Sequence, residues 1–296
     1  MSLPENLPLF DKIAEHMLDV MYFDLFRYIV TASVMFAIIV IFKGWAERRR
    51  IQERRAKRED YLREISSSIR TVFFFGITTL STLFLREAGI IRFHFDSFPI
   101  AIMLLQAVAM ILAHDTYFYW MHRALHTRAL YQATHLHHHK SRTPTPWTAY
   151  SFSVWEAIAE AAFVPLYLLA TSLLGVAYIG MAILVFIWFQ IIRNVMGHAG
   201  VEVMPAGWVD NKWVGWINTT THHDLHHSTF NHNFGLYFTW WDRWMGTEHP
   251  QYKERFRAVA KPLVVSPRLA EKLSVVMMAG LASTVTLSGG LASMVA

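Results

Sequence analysis

The sequence predicts an all-α integral membrane protein with about four transmembrane helices, a fifth if the C-terminal tail also crosses, and a cytoplasmic cap rich in histidine. Of the 296 residues, 54% are hydrophobic, and the mean hydropathy is +0.27. Several long runs carry no charged residue, which suits helices that need about twenty apolar residues to cross a bilayer. Most of the 16 histidines cluster outside these runs.

The first predicted span extends from about Leu25 to Trp45, because Tyr28 to Phe42 is uncharged. A basic block follows, with nine Lys or Arg residues from Lys43 to Arg63. Residues 1–24 hold five acidic side chains and only one basic one, Lys12. The positive-inside rule therefore predicts that the block is cytoplasmic and that the N-terminus lies outside.

Further uncharged runs supply the remaining spans. Thr71 to Leu85 is expected to return to the outside, and the run from Pro99 to Ala113 to come back to the cytoplasm. The uncharged run 161–192 is too long for one span and is broken near Gly175, which predicts a hairpin of two helices. Such a hairpin returns the chain to the side that it left.

The chain is predicted to form one membrane domain, residues 25–272. It lies between an extracytoplasmic segment, residues 1–24, and an apolar tail, residues 273–296. Residues 201–267 are more polar and are expected to form the cytoplasmic cap. The tail is uncharged but rich in Gly, Ser and Thr, so an additional span and a loose interfacial segment both remain open.

Composition excludes several classes of protein. The chain has no cysteine, which excludes disulfides, cysteine-ligated iron-sulfur clusters, thiolate haem and a cysteine nucleophile. Any metal must be held mainly by nitrogen and oxygen. The net charge of +5 resides largely in the block beside the first span, so no nucleic-acid partner is expected.

The histidine spacing indicates metal ligation. His122 and His126 are four residues apart on a predicted helix, which places their side chains on one face. Two HxxHH triples follow, and His198 stands at the cytoplasmic end of the predicted hairpin. Nine imidazoles are more than one ion uses, so two metal ions are implied, although imidazole accepts Zn, Cu, Fe and Ni alike. The candidate ligands are His122, His126, His135, His138, His139, His198, His223, His226 and His227.

Ligating histidines usually give their second N–H to a carboxylate or carbonyl. Four acids are the nearest candidates in sequence, and for each a capping or surface role is the alternative. No catalytic residue beyond the metal ligands is predicted. The four acids are Asp115, Glu156, Asp224 and Asp242.

The other histidines have no role assigned by spacing. His114 and His222 are candidate extra ligands, and His232 is undecided. His137 would face away from the ligand positions on a helix. The remaining three, expected to be ordinary surface residues, are His16, His94 and His249.

These motifs resemble the fatty acid hydroxylase and sterol desaturase superfamily of membrane di-iron oxygenases. The similarity extends from about Asp115 to Thr247, and the KSRTPTPWTAYSF and NHNFG segments, the latter followed by WDR, resemble the C-5 sterol desaturase branch. His222 and His232 depart from the pattern. The matching residues are Asp115, YWMHRALH, HLHHHKSRTPTPWTAYSF, Glu156, GHAG around His198, and HHDLHHSTFNHNFGLYFTWWDRWMGT.

The resemblance implies two iron ions held among the nine histidines, O2 as co-substrate, and attack on a C–H bond of a membrane lipid. Sterol-like desaturation is the leading expectation, and hydroxylation of a fatty acyl chain or an aminolipid head group is the alternative. Electrons would come from a separate protein, cytochrome b5-like or ferredoxin-like, and the chain indeed shows no nucleotide-binding GxGxxG. The lack of a C-terminal lysine retrieval signal slightly favours a bacterial inner membrane over the endoplasmic reticulum.

A metal transporter is the rival class, because it would also need many histidines. Transport requires polar ligands near the middle of the membrane. Here the runs are apolar in their middles, and the histidines gather towards one side. The enzyme is therefore favoured.

Overall fold

The computed structural model describes residues 9–96 and 99–262, which are mostly helical. Two short strands, β1 (Phe93–His94) and β2 (Tyr178–Ile179), pair in parallel. The chain divides into two compact units, Met1–Ala260 and Lys261–Ala296, and every element named here belongs to the first. The helices are α1 (Leu9–Ile41), α2 (Lys43–Arg48), α3 (Arg58–Glu87), α4 (Ile100–Leu125), α5 (Tyr131–Thr134), α6 (Val154–Ala161), α7 (Phe163–Leu173), α8 (Gly180–Gly197), α9 (Thr220–Thr229), α10 (Trp240–Trp244) and α11 (Tyr252–Val259), with 3-10 turns at His138–Lys140, Pro146–Tyr150 and Trp208–Asp210.

Five segments of the described chain are long and apolar enough to cross a membrane, and the protein is an integral membrane protein. The predicted fold class is confirmed, with five such segments where about four were predicted. Both halves of the 161–192 hairpin reach spanning length, because α6 extends the first half towards the N-terminus. The orientation stays a prediction, and the tail 273–296 lies outside the described residues. The segments are Ile13–Ile41, Arg58–Glu87, Ile100–Leu125, Val154–Leu173 and Gly180–Gly197.

The first span is part of a longer helix than predicted, since α1 begins at Leu9. Two charged side chains, Asp24 and Arg27, lie within it and form a buried salt bridge with each other. Arg27 also donates to the carbonyl oxygen of Ile187 in α8 at 2.8 Å. Pairing of this kind allows charges inside an apolar helix. The uncharged run Tyr28 to Phe42 therefore underestimates the length of α1.

The predicted break near Gly175 is confirmed. Gly175 has a φ of +79°, a left-handed conformation that glycine adopts without steric cost. α8 then returns the chain and ends at Gly197, immediately before His198. The Nε2 atom of His198 lies 3.3 Å from that of His138, so the hairpin brings distant parts of the sequence together.

An aromatic core fixes the segment that follows the first HxxHH triple. Tyr150 stacks on Tyr28 of α1, with ring centroids 5.2 Å apart, and packs edge-on against Phe75 of α3 at 5.0 Å. The Tyr28 hydroxyl donates to the carbonyl oxygen of Trp147 at 2.8 Å. These contacts anchor the 3-10 turn Pro146–Tyr150 between two membrane helices.

Candidate metal centre

Five of the predicted ligands form one cluster, termed here the first histidine group. His122 comes from the last turn of α4 and His126 caps that helix, with ring centroids 5.1 Å apart. The ligand atoms of all five lie within 4.8 Å of one another. Its members are His122, His126, His135, His139 and His226.

The other four predicted ligands form the second histidine group, and all are buried. His198 caps α8, and His223 and His227 lie four residues apart on α9, whose N-terminus is capped by the Thr219 hydroxyl. Their ligand atoms also lie within 4.8 Å of one another. The members are His138, His198, His223 and His227.

Each HxxHH triple is divided between the two groups. On α9, His223 and His227 are four residues apart and therefore about 40° apart around the helix, whereas His226 lies about 60° from His223 on the other side. His226 accordingly joins the first group. The triple before it divides in the same way, with His138 alone in the second group. Both triples thus connect the two groups.

Hydrogen bonds to Nδ1 determine which nitrogen each ring offers. A carbonyl oxygen can only accept, so an Nδ1 atom beside one carries the proton and the neutral ring presents its lone pair at Nε2. The pairs are His122 Nδ1 to Phe234 O at 2.9 Å, His138 Nδ1 to Ser151 O at 3.3 Å, His198 Nδ1 to Asn194 O at 2.8 Å and His226 Nδ1 to His232 O at 2.7 Å.

The resulting lone pairs of His138 and His198 face each other, with their Nε2 atoms 3.3 Å apart. The lone pair of His122 faces the Nε2 atom of His135 at 2.9 Å. Two unprotonated nitrogens at such distances repel each other unless a cation lies between them. The Nε2 atom of His226 is also buried without a hydrogen-bond partner in the described structure. The donor set therefore fits one metal ion in each group.

Burial keeps these imidazoles in the form that binds metal. Loss of solvation lowers the pKa of His198 to about 4. Loss of solvation, together with the neighbouring histidines His122 and His198, lowers the pKa of His139 to about 3. The pKa values of His223 and His227 are lowered well below 6.5 by burial first and by the surrounding histidines second. At neutral pH the rings are neutral, as ligation requires.

The comparison with known proteins agrees with this geometry. Residues 107–247 match the family model described as fatty acid hydroxylase. The matched residues make up nearly half of the chain. Both histidine groups lie entirely within the matched residues. No solved structure shows a significant match.

Curated relatives belong to the C-5 sterol desaturase branch. The chain is 30% identical over 193 residues to lathosterol oxidase of Rattus norvegicus, covering 64% of this chain and 61% of the relative. It is 29% identical over 185 residues to lathosterol oxidase of Homo sapiens, covering 61% and 58%. It is 29% identical over 239 residues to a Delta(7)-sterol 5(6)-desaturase of Aspergillus fumigatus, covering 79% and 65%. The chain thus spans about three fifths of the length of these relatives.

Of the four acids singled out in the sequence, only Glu156 directly contacts a candidate ligand. Its Oε1 atom lies 2.7 Å from Nδ1 of His135, and both side chains are buried. Asp242 acts through the backbone: it accepts from the N–H of Phe234 at 2.9 Å, and the carbonyl of Phe234 accepts from His122.

The other two of these four acids, Asp115 and Asp224, form hydrogen bonds that hold loops. Asp115 accepts from the N–H groups of Tyr237 and Phe238 at 2.9 and 3.2 Å. Asp224 accepts from the side-chain amide of Gln52 at 2.9 Å. Neither reaches a candidate ligand, because Asp115 is engaged by two backbone N–H groups and Asp224 by the amide of Gln52.

The structure places both candidate extra ligands outside the groups. His114 is packed among aromatic rings, with Phe163 at 4.6 Å and Phe186 at 5.1 Å between centroids. His222 faces Tyr252 at 4.9 Å, and its Nε2 lies 3.6 Å from Asp242.

The remaining histidines occupy other positions. His137 faces Ser67 at 2.7 Å, away from the ligands as predicted. His232 contributes its carbonyl oxygen rather than its ring, accepting from His226. His16 was expected to be an ordinary surface residue, but it lines a cavity between the membrane helices.

That cavity has a volume of about 550 Å³ and lies within the membrane-spanning part of the protein. Its walls come from α1, α3, α4, α6, α7 and α8 and are mainly aromatic and aliphatic. His114 lies on its wall, and the ring of Phe118 stands between His114 and His122, with centroids 6.1 and 4.9 Å away. His122 follows His114 by eight residues on α4, about 12 Å along the helix.

Sequence reasoning missed two kinds of functional group. The carbonyls that orient the rings have no sequence signal, because every residue has one. Glu160, which lines the cavity, had a weak signal: it stands four residues after Glu156, immediately before the uncharged run.

Proposed function

We propose that this protein is a membrane-bound non-haem di-iron oxidoreductase that attacks a C–H bond of a membrane lipid, and that sterol-like desaturation is its reaction. The observation that carries the proposal is the pair of buried histidine groups, in which the unprotonated Nε2 atoms of His138 and His198 lie 3.3 Å apart. This arrangement lies within the residues that match the fatty acid hydroxylase family model.

The first histidine group would hold one iron and the second the other. Bound iron would supply the activation of O2 needed to remove hydrogen from an unactivated C–H bond. Glu156 orients His135, and the carbonyls of Phe234 and Asn194 orient His122 and His198. Phe118, beside His122, and Phe152, whose ring centroid lies 5.2 Å from that of His138, exclude water between the cavity and the histidines.

The cavity would receive the lipid. Its volume falls within the range of about 300–1,000 Å³ that is usual for ligand pockets, and its walls are mostly apolar. Because the surrounding helices are membrane-spanning segments, a lipid would enter sideways from the bilayer. The names of the curated relatives, lathosterol oxidase and Delta(7)-sterol 5(6)-desaturase, support a sterol-like substrate. Hydroxylation of an acyl chain or aminolipid head group remains the alternative.

Electrons would reach the site from a separate protein, cytochrome b5-like or ferredoxin-like, on the side of the basic block Lys43–Arg63, which we assign to the cytoplasm. The relatives described above come from mammals and a fungus. Their origin favours the endoplasmic reticulum over the bacterial inner membrane that the sequence slightly favoured.

The test is lipid mass spectrometry of cells with and without the protein, together with iron analysis of the purified chain. We expect about two iron ions per chain and a product that lacks two hydrogens and requires O2 and a reductant. A product with one added oxygen would indicate the hydroxylation alternative. Transmembrane flux of Zn or Fe without O2 consumption would contradict the proposal and indicate a transporter.

A further inference from the structure

Among the acids that line the cavity, Glu160 is partly buried without a partner in the described residues, whereas Asp19 is exposed. Glu160 lies in the last turn of α6. Across residues 9–96 and 99–262, no group forms a hydrogen bond or salt bridge with its carboxyl. The other acid near the inner end, Asp24, is paired with Arg27.

An unpartnered carboxyl in such a place is costly. Burying a polar group without a hydrogen bond costs several kcal/mol in an apolar medium, and ionisable residues inside a membrane usually mark a functional site. The two arginines on the wall have acceptors: Arg27 contacts Asp24 and the Ile187 carbonyl, and Arg86 donates to the Phe93 carbonyl at 3.3 Å. Of the uncharged groups on the wall, Thr82 Oγ1 and His114 Nδ1 are also buried without a partner in the described residues. Glu160 is therefore available to a ligand.

The surroundings select the chemistry of that ligand. Arg27 is paired with Asp24, and an anionic head group would be repelled by the unpaired carboxylate of Glu160. A charged ammonium would lose its hydration on entering an apolar cavity. A neutral hydroxyl can both donate to and accept from a carboxyl group, and it loses little hydration. A lipid alcohol fits these conditions.

Helix geometry connects Glu160 with the first histidine group. Glu156 and Glu160 are four residues apart on α6, so their side chains lie on the same face, about 6 Å apart along the axis. Glu156 contacts His135 of that group at 2.7 Å. A hydroxyl bound at Glu160 would therefore lie near the histidines, while the apolar body of the lipid extends between Leu83, Phe93 and Ile183.

We propose that Glu160 binds the hydroxyl group of a lipid alcohol and thereby positions the carbons near that hydroxyl for oxidation. This inference rests on the proposed function, because it takes the cavity to be the lipid site. A sterol and a long-chain alcohol share the chemistry that Glu160 recognises, and they are distinguished by experiment.

The experiment measures equilibrium binding to the purified, iron-loaded protein in detergent, without O2 or reductant, so that binding is observed independently of turnover. The probes are radiolabelled lathosterol, its 3-deoxy analogue, hexadecanol and hexadecylamine. Glu160→Leu is compared with Glu160→Gln, which keeps a hydrogen-bond acceptor. Thr79→Val is the matched control, because it removes a polar group from another helix lining the same cavity.

We expect wild-type protein to bind at least one of the two alcohols about 10-fold or more tightly than the deoxy analogue or the amine, because a lost hydrogen bond to a buried charged or polar group costs about 1.5–3 kcal/mol. Glu160→Leu should lose that preference and bind the deoxy analogue at least as tightly as wild type does. Glu160→Gln and Thr79→Val should stay within about threefold of wild type. Preference for lathosterol would identify the bound lipid alcohol as a sterol. Preference for hexadecanol would identify it as a long-chain alcohol.

Three results would overturn the proposal: equal binding of alcohol and deoxy analogue by wild type, tighter binding of hexadecylamine than of hexadecanol, or unchanged alcohol binding by Glu160→Leu. If Glu160→Leu binds neither the alcohol nor the deoxy analogue while its iron content is normal, Glu160 is a structural residue, and the proposal is also overturned. If the proposed oxidation is absent while the Glu160-dependent preference is present, the proposed function and the positioning of carbons for oxidation fail, whereas binding of the lipid hydroxyl by Glu160 stands.

Discussion

Replacing Glu156 by Ala tests the division of the ligands into two groups. The carboxylate lies 2.7 Å from Nδ1 of His135, and the two side chains are 1% and 2% exposed. No solvent can replace the lost contact there, so the change removes the close buried contact between Glu156 Oε1 and His135 Nδ1, for which we expect about 1.5–3 kcal/mol, the range for contacts to a charged group. At 1.4 kcal/mol per tenfold, the iron affinity of the first histidine group should fall by roughly 10- to 150-fold. This agrees with the 10- to 100-fold cost typical of such supporting residues.

The assay is iron content after dialysis against graded concentrations of a chelator. Wild type should lose its two irons within a narrow chelator range, whereas Glu156→Ala should lose about one iron much earlier and retain the other in the second group. Asp224→Asn is the matched control, since Asp224 is also buried but contacts Gln52 rather than a ligand. If Glu156→Ala keeps both irons with unchanged affinity, or loses both together, the assignment of Glu156 to one group is wrong.

Three further outcomes are expected. His226→Ala should remove a ligand from the first histidine group, and His138→Ala should remove a ligand from the second. Each change should abolish the lipid product and lower the bound iron. Full formation of the product by either variant, measured by mass spectrometry, would exclude that residue as a ligand. Asp242→Ala should lower stability by about 2–4 kcal/mol, because its carboxylate accepts from two backbone N–H groups and a hydroxyl, and a thermal midpoint in detergent equal to that of wild type would contradict this. The stability of the metal-free protein should fall as pH decreases from about 6.5 towards 4. Burial lowers the folded-state pKa of His198 to about 4, whereas the same side chain in the unfolded protein takes up a proton near pH 6.5. A thermal midpoint that does not change between pH 7 and 5 would refute the reasoning.

Several elements could be predicted because their signals are local. Uncharged runs define membrane helices whatever they pack against, and the break at Gly175 needs only a residue that tolerates positive φ. Local signals failed where a partner decides the outcome. Asp24 appeared to end an apolar run, but its salt bridge with Arg27 allows α1 to continue past it.

The sequence by itself determined the chemistry of the site: nine histidines, no cysteine, and spacings of three and four residues that only make sense on helices. Which histidine joins which group was decided by tertiary structure, because rotation around α9 sends His226 to one side and His227 to the other, and the α7–α8 hairpin must return before His198 can meet His138. The same holds for Glu160. An acid beside an apolar run has no evident role until the membrane helices enclose a cavity and leave that carboxyl without a partner in the described residues.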